Sequence, residues 1–155
     1  MAAFFDISLA FDASGRRFDL VLGADGDLVA DTTPVTPMLI SLGVDRRARP
    51  DDALPTGRDS LLNADLPGFA VRRGFSGDVG DARSRRTGSH IWLLDRAKQD
   101  EITRMAVADH ATEALSWARE VTGDMAVISV FWERRGVLAL TARLGEADII
   151  ITRGF

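Results

Sequence analysis

The most regular pattern lies in the last third of the chain. Ala126, Ile128, Val130 and Trp132 alternate with Val127, Ser129, Phe131 and Glu133, the period-two signature of a strand whose faces meet different surroundings. Arg134-Arg135-Gly136 is a tight connection, after which Leu138, Leu140, Ala142 and Leu144 alternate with Ala139, Thr141 and Arg143. The two runs predict a β-hairpin. Gly145-Glu146-Ala147 then leads into Ile149-Ile150-Ile151-Thr152, a β-branched run that suits either a third strand or an extension paired elsewhere. Residues 146–155 are expected to be dispensable for folding.

The first thirty residues read as a small antiparallel meander. Phe4, Ile7, Leu9 and Phe11 are interleaved with Asp6, Ser8 and Asp12, and Phe18 to Leu22 and Leu28 to Ala30 follow, separated by Ser14-Gly15 and by the turn Gly23 to Asp27. Thr36-Pro37 predicts a helix with Thr as N-cap, running to about Arg47. A short helix is expected from Ser89, apolar first at Ile91-Trp92-Leu93-Leu94 and charged later at Asp95, Arg96 and Lys98. A longer one is expected from about Asp100 to Val121, with Ile102, Met105, Ala108, Thr112, Leu115 and Ala118 as its core stripe and Gly123 as its C-cap. The expected fold class is α+β: a small antiparallel sheet that includes the C-terminal hairpin, packed against two or three helices. Residues 1–155 are expected to form a single domain, with a long irregular loop at about 50–88.

Composition narrows the function classes. With 155 residues, 46% of them apolar, the chain is long enough for one real core. Its net charge of −4 disfavours free nucleic acid as a partner, which needs a concentrated basic face. The absence of cysteine excludes disulfides, thiolate zinc sites and a Cys nucleophile. No apolar run approaches the roughly 18 residues of a spanning helix, and Met1 to Asp6 lacks the pattern of a secretory signal, so the expectation is a chain folded in a reducing cytoplasm, with no membrane partner. Lys98 is the only lysine, which fits either a GC-rich genome or selection for planar bidentate donors. The arginines cluster: Arg72, Arg73, Arg83, Arg85 and Arg86 bias the second half of the 50–88 loop. The interspersed Asp78 and Asp81 make an acidic or polar protein neighbour the better match than nucleic acid.

Candidate chemistry is thin. Ser89, His90 and Asp95 could be assembled into a hydrolytic triad, but no Gly-x-Ser-x-Gly elbow exposes the serine. His90 and His110 lack HExxH or HxH spacing, so a metal site is not expected. Asp25-Gly26-Asp27 is ordinary turn chemistry rather than a calcium loop. Asp109 and Glu113 share a helix face at the spacing a glycosidase pair could use, but no stacking tyrosine accompanies them. Trp92, Trp117 and Trp132 read as core. The expectation is no catalytic residue, no cofactor and no metal.

Several segments in order carry a resemblance. They are Leu39-Ile40-Ser41-Leu42 leading into Asp45-Arg46-Arg47-Ala48 and Asp51-Asp52-x-Leu54-Pro55; Arg72-Arg73-Gly74-Phe75-Ser76-Gly77-Asp78; and Gly88-Ser89-His90-Ile91-Trp92-Leu93-Leu94-Asp95-Arg96-Ala97-Lys98, followed by Glu113 to Trp117. Together they resemble the Mu-type phage baseplate protein family, gene product forty-six of that phage. The likeness runs from about Asp25 to Leu144. It departs from the family at Phe75-Ser76, where tryptophans are usual, and at His90, where a basic residue is common.

The resemblance implies a structural subunit of a contractile phage tail, made in the host bacterial cytoplasm and built into the virion. It further implies an inner-wedge role, with larger wedge proteins, the tail sheath protein and the central hub or spike as partners. The residues expected to bind them are Arg46, Arg47, Arg72, Arg73 and Phe75 on the arginine-rich segment and Ile149, Ile150 and Ile151 on the terminal run. The sheath would start by strand pairing at the C-terminal ribbon. The rival expectation is a peptidoglycan-cleaving tail enzyme acting through Glu113, Asp109 or Glu120. A third is an adaptor that binds a virion component without nucleating sheath.

Overall fold

The computed structural model describes residues 4–55, 72–80 and 86–155. In chain order its elements are β1 (Asp6–Ile7), β2 (Leu9–Asp12), β3 (Arg17–Leu20), β4 (Ala30–Asp31), α1 (Val35–Gly43), two 3-10 turns (Ser76–Gly80 and His90–Leu94), α2 (Glu101–Ala114), α3 (Trp117–Thr122), β5 (Val127–Arg134), β6 (Val137–Leu144) and β7 (Ala147–Gly154). This is the expected α+β mixture. Most of the expected 50–88 loop, including Leu61, Leu62, Leu66, Phe69, Arg83 and Arg85, lies outside the described residues.

The C-terminal hairpin forms as its alternation requires, and the terminal run completes it. The sheet is antiparallel in the order β5-β6-β7, with Val130 opposite Leu140 and Leu140 opposite Ile151. Gly136 turns the first connection at φ +70°, a left-handed conformation that glycine adopts without strain. One face, made by Ile128, Val130, Leu138, Leu140, Ala142 and Ile149, packs on Met38, Leu39 and Leu42 of α1 and on Val107, Ala111 and Ala114 of α2. Ala147 and Ile149 are themselves buried in this core. Residues 146–155 are therefore part of the fold rather than dispensable to it, because the inner face of the sheet is closed only by its third strand.

The helices depart from expectation in phase and in extent. The predicted long helix is two, α2 and α3, broken at Leu115-Ser116 with no Gly or Pro to mark it. The break lets Leu115 and Ala118 both enter the core while the Trp117 indole donates to Ser41 Oγ at 2.9 Å. The expected stripe is also rotated. Ile102 and Met105 are 78% and 54% exposed, whereas Thr103, Val107, Ala111 and Ala114 are buried. Small residues on that stripe let α2 approach the sheet closely, which outweighs the hydropathy of the larger pair. Asp100 caps α2 by accepting from Thr103 N–H at 2.8 Å.

The cap expected at Thr36 is likewise supplied from elsewhere. Thr36 lies within α1, and the helix ends at Gly43 rather than near Arg47. Asp31 does the capping: its carboxylate accepts from Thr36 N–H at 2.9 Å and from Thr33 N–H at 2.8 Å. Burial pushes the Asp31 carboxyl up, but the hydrogen bonds from Thr33 and Thr36 outweigh it and hold the group below the usual carboxylate range. Asp31→Ala is expected to cost about 1–2 kcal/mol, read as a lower thermal midpoint, with Asp31→Asn recovering part of the loss. The N-terminal meander forms two separate ladders, β1 with β4 and β2 with β3.

Candidate partner-binding sites

Arginine, histidine and glutamate converge where the chain leaves α1. Gly88 (φ +97°) lies so close to Val44 that a Cβ there would stand 2.3 Å from the Val44 carbonyl oxygen. That close approach lets Ser89 N–H donate to Val44 O and Arg46 N–H to Ser89 O, each at 2.9 Å. The 44–46 and 88–90 segments are thereby locked side by side, with His90 buried against α2.

Glu113, on α2, is the centre. Its Oε1 takes Arg49 Nη2 at 2.7 Å and Arg46 Nη1 at 3.2 Å, and its Oε2 lies 3.1 Å from His90 Nδ1. His90 Nε2 lies 3.1 Å from the Arg47 carbonyl oxygen. Each ring nitrogen of His90 thus faces an oxygen acceptor, the Glu113 carboxylate on one side and the Arg47 carbonyl on the other. Burial pushes the Glu113 carboxyl up, but His90, Arg46 and Arg49 together hold it below its ordinary value. The His110 ring lies edge-on to His90 at 5.8 Å. Burial, helped by His90, pulls the His110 imidazole below its ordinary value.

This geometry bears on the chemistry considered from sequence. Ligand atoms of His90, His110 and Glu113 lie within 4.8 Å of one another, a convergence that spacing alone did not reveal. Both nitrogens of His90 and both oxygens of Glu113 are already engaged, however, and two guanidinium groups stand on the carboxylate. A dication would have to displace that set and meet its positive charge. For a glycosidase, the general acid needs a carboxyl pushed up; Glu113 is pushed the other way, and Asp109 and Glu120 are exposed. The Ser89, His90, Asp95 triad does not assemble: Ser89 Oγ donates to Leu42 O at 3.0 Å, His90 faces Glu113, and Asp95 takes Arg73 and Arg153.

The expected contact residues divide. Arg46 is mostly buried and also donates to Arg86 O at 2.7 Å. Arg47 reaches Arg73 O, and Arg72 reaches the carbonyls of Arg49 and Pro50. Arg73 pairs with Asp45 at 2.7 Å and Asp95 at 3.3 Å while lying over the Trp92 ring. These arginines staple the 45–50 and 72–75 segments together, and Phe75 beside them is 44% exposed. Arg49, Arg86, His90 and Glu113 belong to the same cluster and were not singled out from sequence as contacts. Of the three isoleucines, Ile149 is core, Ile151 is half-buried and Ile150 is exposed on the outer face.

The two margins of the sheet are not alike. Leu144 and Ala147 flank a two-residue turn, and Phe155 N–H donates to Gly136 O at 2.9 Å. Antiparallel pairs alternate between bonded and non-bonded, so Ala147, Ile149, Ile151 and Arg153 bond to β6. Asp148, Ile150, Thr152 and Gly154 then point their N–H and C=O groups away from the sheet. No hydrogen bond from the rest of the described residues reaches those groups. By the same parity Ile128 and Val130 face outward on β5, but there Arg104 Nη1 donates to Val130 O at 3.0 Å. Arg104 is in turn held by Glu101 at 2.5 Å. One margin is plugged mid-strand; the other makes no backbone hydrogen bond among the described residues, although Arg16 lies beside Gly154 at its end.

Residues 34–149 match the model of the family described as "Phage protein GP46". The chain belongs to the phage protein GP46 family. Over 110 residues, 70% of this chain, it is 36% identical to "Baseplate protein gp46" of Escherichia phage Mu. The chain spans 66% of that relative's length, just under two thirds. No solved structure matches it. The matched span begins at the turn into α1 and includes the arginine cluster, β5, β6 and the first three residues of β7, so the arginine cluster belongs to the portion shared with the GP46 family, whereas of the outward residues on β7 only Asp148 falls within it. The β1–β4 ladders precede it.

Proposed function

We propose that this chain is a structural, non-enzymatic subunit of a contractile phage tail baseplate, and so a component of the virion. It joins larger wedge proteins near the central hub or spike and starts the sheath by accepting a strand. The observation that carries the reading is the open margin of β7. Outward N–H and C=O groups on Asp148, Ile150, Thr152 and Gly154 offer a ladder to an incoming strand, while Arg104 disfavours the same event at β5. The pairing residues are thus the outward set on β7, with the side chain of Ile150 on the exposed face. Ile149 and Ile151 contribute by holding the strand to the core. Arg46, Arg47, Arg72, Arg73 and Phe75 form the second surface, which docks a wedge neighbour. The name carried by the Mu relative supports the baseplate setting.

A proline at an outward position removes a free donor without touching the β6 ladder. Ile150→Pro and Thr152→Pro are therefore expected to keep the cooperative melt and to yield tails in which sheath fails to initiate. Tails fully sheathed by both variants would overturn the strand-pairing reading. Copurification of the parent chain with a wedge protein but never with sheath protein would favour the adaptor instead.

A further inference from the structure

The space between the 46–50 segment, Arg72, Arg86 and α2 inverts the charge of the molecule. The chain as a whole carries −4, yet a cavity of about 620 Å³ is lined by Arg46, Arg47, Arg49, Arg72 and Arg86, with Glu113 the one acid among the described residues that line it. Arg46 and Arg49 share that single carboxylate. Arg72 bonds to backbone carbonyls, which accept its protons without cancelling its charge. The Arg86 guanidinium has no partner among the described residues, and Arg46 Nε is buried with no acceptor. A buried donor left unmade costs free energy that a ligand oxygen would recover.

We propose that this cavity is a receptor for an acidic peptide segment, a Glu- or Asp-bearing stretch of a neighbouring baseplate chain. The proposal rests on the reading that the arginine face docks such a neighbour. One carboxylate of the segment sits beside Glu113 and takes the planar fork of Arg86, the geometry in which guanidinium and carboxylate pair best, with the uncancelled charge of Arg72 alongside. An adjoining cavity of about 650 Å³ shares Arg46 and Arg86 but is lined on its far side by Phe75, Trp117, Asp78 and Glu120. That neighbour selects the class of ligand. A nucleic-acid strand carries a charge on every residue and would bring phosphates onto Asp78 and Glu120. A peptide can place a carboxylate at the arginines and an apolar side chain against Phe75.

The test is titration of the full chain with hexaglutamate, with hexathymidylate and inorganic phosphate as competitors. Saturable binding of hexaglutamate is expected, weakened about tenfold or more by Arg86→Gln. Arg143→Gln, on the outer face of β6 and away from the cavity, should change it by less than about twofold. Absence of saturable binding, equal loss in both variants, or displacement of the peptide by hexathymidylate or phosphate at lower concentration would each overturn the proposal. Incorporation of Arg86→Gln into baseplates is scored separately. If hexaglutamate does not bind and the variant is nonetheless lost from baseplates, the acidic-peptide receptor falls while the docking reading stands.

Discussion

A chain truncated after Glu146 is expected to lose its cooperative fold. β7 supplies Ala147 and Ile149, which are 9% and 5% exposed, and the half-buried Ile151, and Phe155 just past it is half-buried too, edge-on to Trp132 at 5.6 Å. Burying a large apolar side chain is worth about 1.5–3 kcal/mol, so these groups together contribute on the order of 5–8 kcal/mol. That is comparable with the whole stability of a domain, about 5–15 kcal/mol. The truncation also opens the β6 ladder along its length and removes the Arg153–Asp95 pair at 2.6 Å. Near-ultraviolet circular dichroism and a thermal melt check it: a flat melt is expected, and a sharp transition near that of the parent would refute the assignment of β7 to the core. This outcome also dictates how strand pairing must be probed, with substitutions at outward positions rather than by deletion.

Glu113→Gln is expected to lower stability by about 2–3 kcal/mol. Removing one partner of a buried ion pair costs roughly 3–5 kcal/mol; the carboxylate is a third exposed, so solvent screens part of that. Arg46, Arg49 and His90 would be left facing an amide that offers one weak acceptor, and the midpoint should fall by about 5–10 °C. The pH dependence follows from the directions of shift. The Glu113 carboxyl titrates below its ordinary 4.5 in the folded chain. Its stabilisation is thus present above that value and is lost as pH falls through the folded one. His110 titrates below its ordinary 6.5 when folded. The unfolded chain then binds the extra proton first, and stability declines as pH drops beneath 6.5. The parent should therefore weaken in two stages on acidification. Glu113→Gln should flatten the lower stage, though not abolish it, because Asp31 also titrates below its usual range. Midpoints measured from pH 8 to pH 3 decide it; superimposable curves for parent and variant would remove Glu113 from the account.

The legible parts of this molecule are those whose signal is local. Alternation along 126–144 specified the hairpin because each strand has one face on the core and one off it. Asp100 and Gly123 marked the outer limits of the α2–α3 segment because caps act within a turn of their helix. The α2 stripe was misread because hydropathy favours Ile102 and Met105, whereas the sheet selects Thr103, Ala111 and Ala114 for closeness. The α1 cap was misread because Asp31 reaches five positions along the chain to Thr36, farther than any local capping rule looks. The arginine segment was marked by composition, but Glu113, sixty-four positions from Arg49, carries no local trace of its role.

The amino-acid sequence by itself determined the α+β class, the C-terminal hairpin, the family and the gathering of arginines around 46–73, since each depends on periodicity or on neighbours along the chain. Tertiary structure decided which face of α2 is buried, that β7 closes the core, that Arg104 plugs one margin of the sheet while the other is left without a backbone partner among the described residues, and that one glutamate answers several cations. The reason is the same in each case. Those outcomes are set by how closely two surfaces can approach and by which donors are left over once they have, and both quantities exist only between segments distant along the chain.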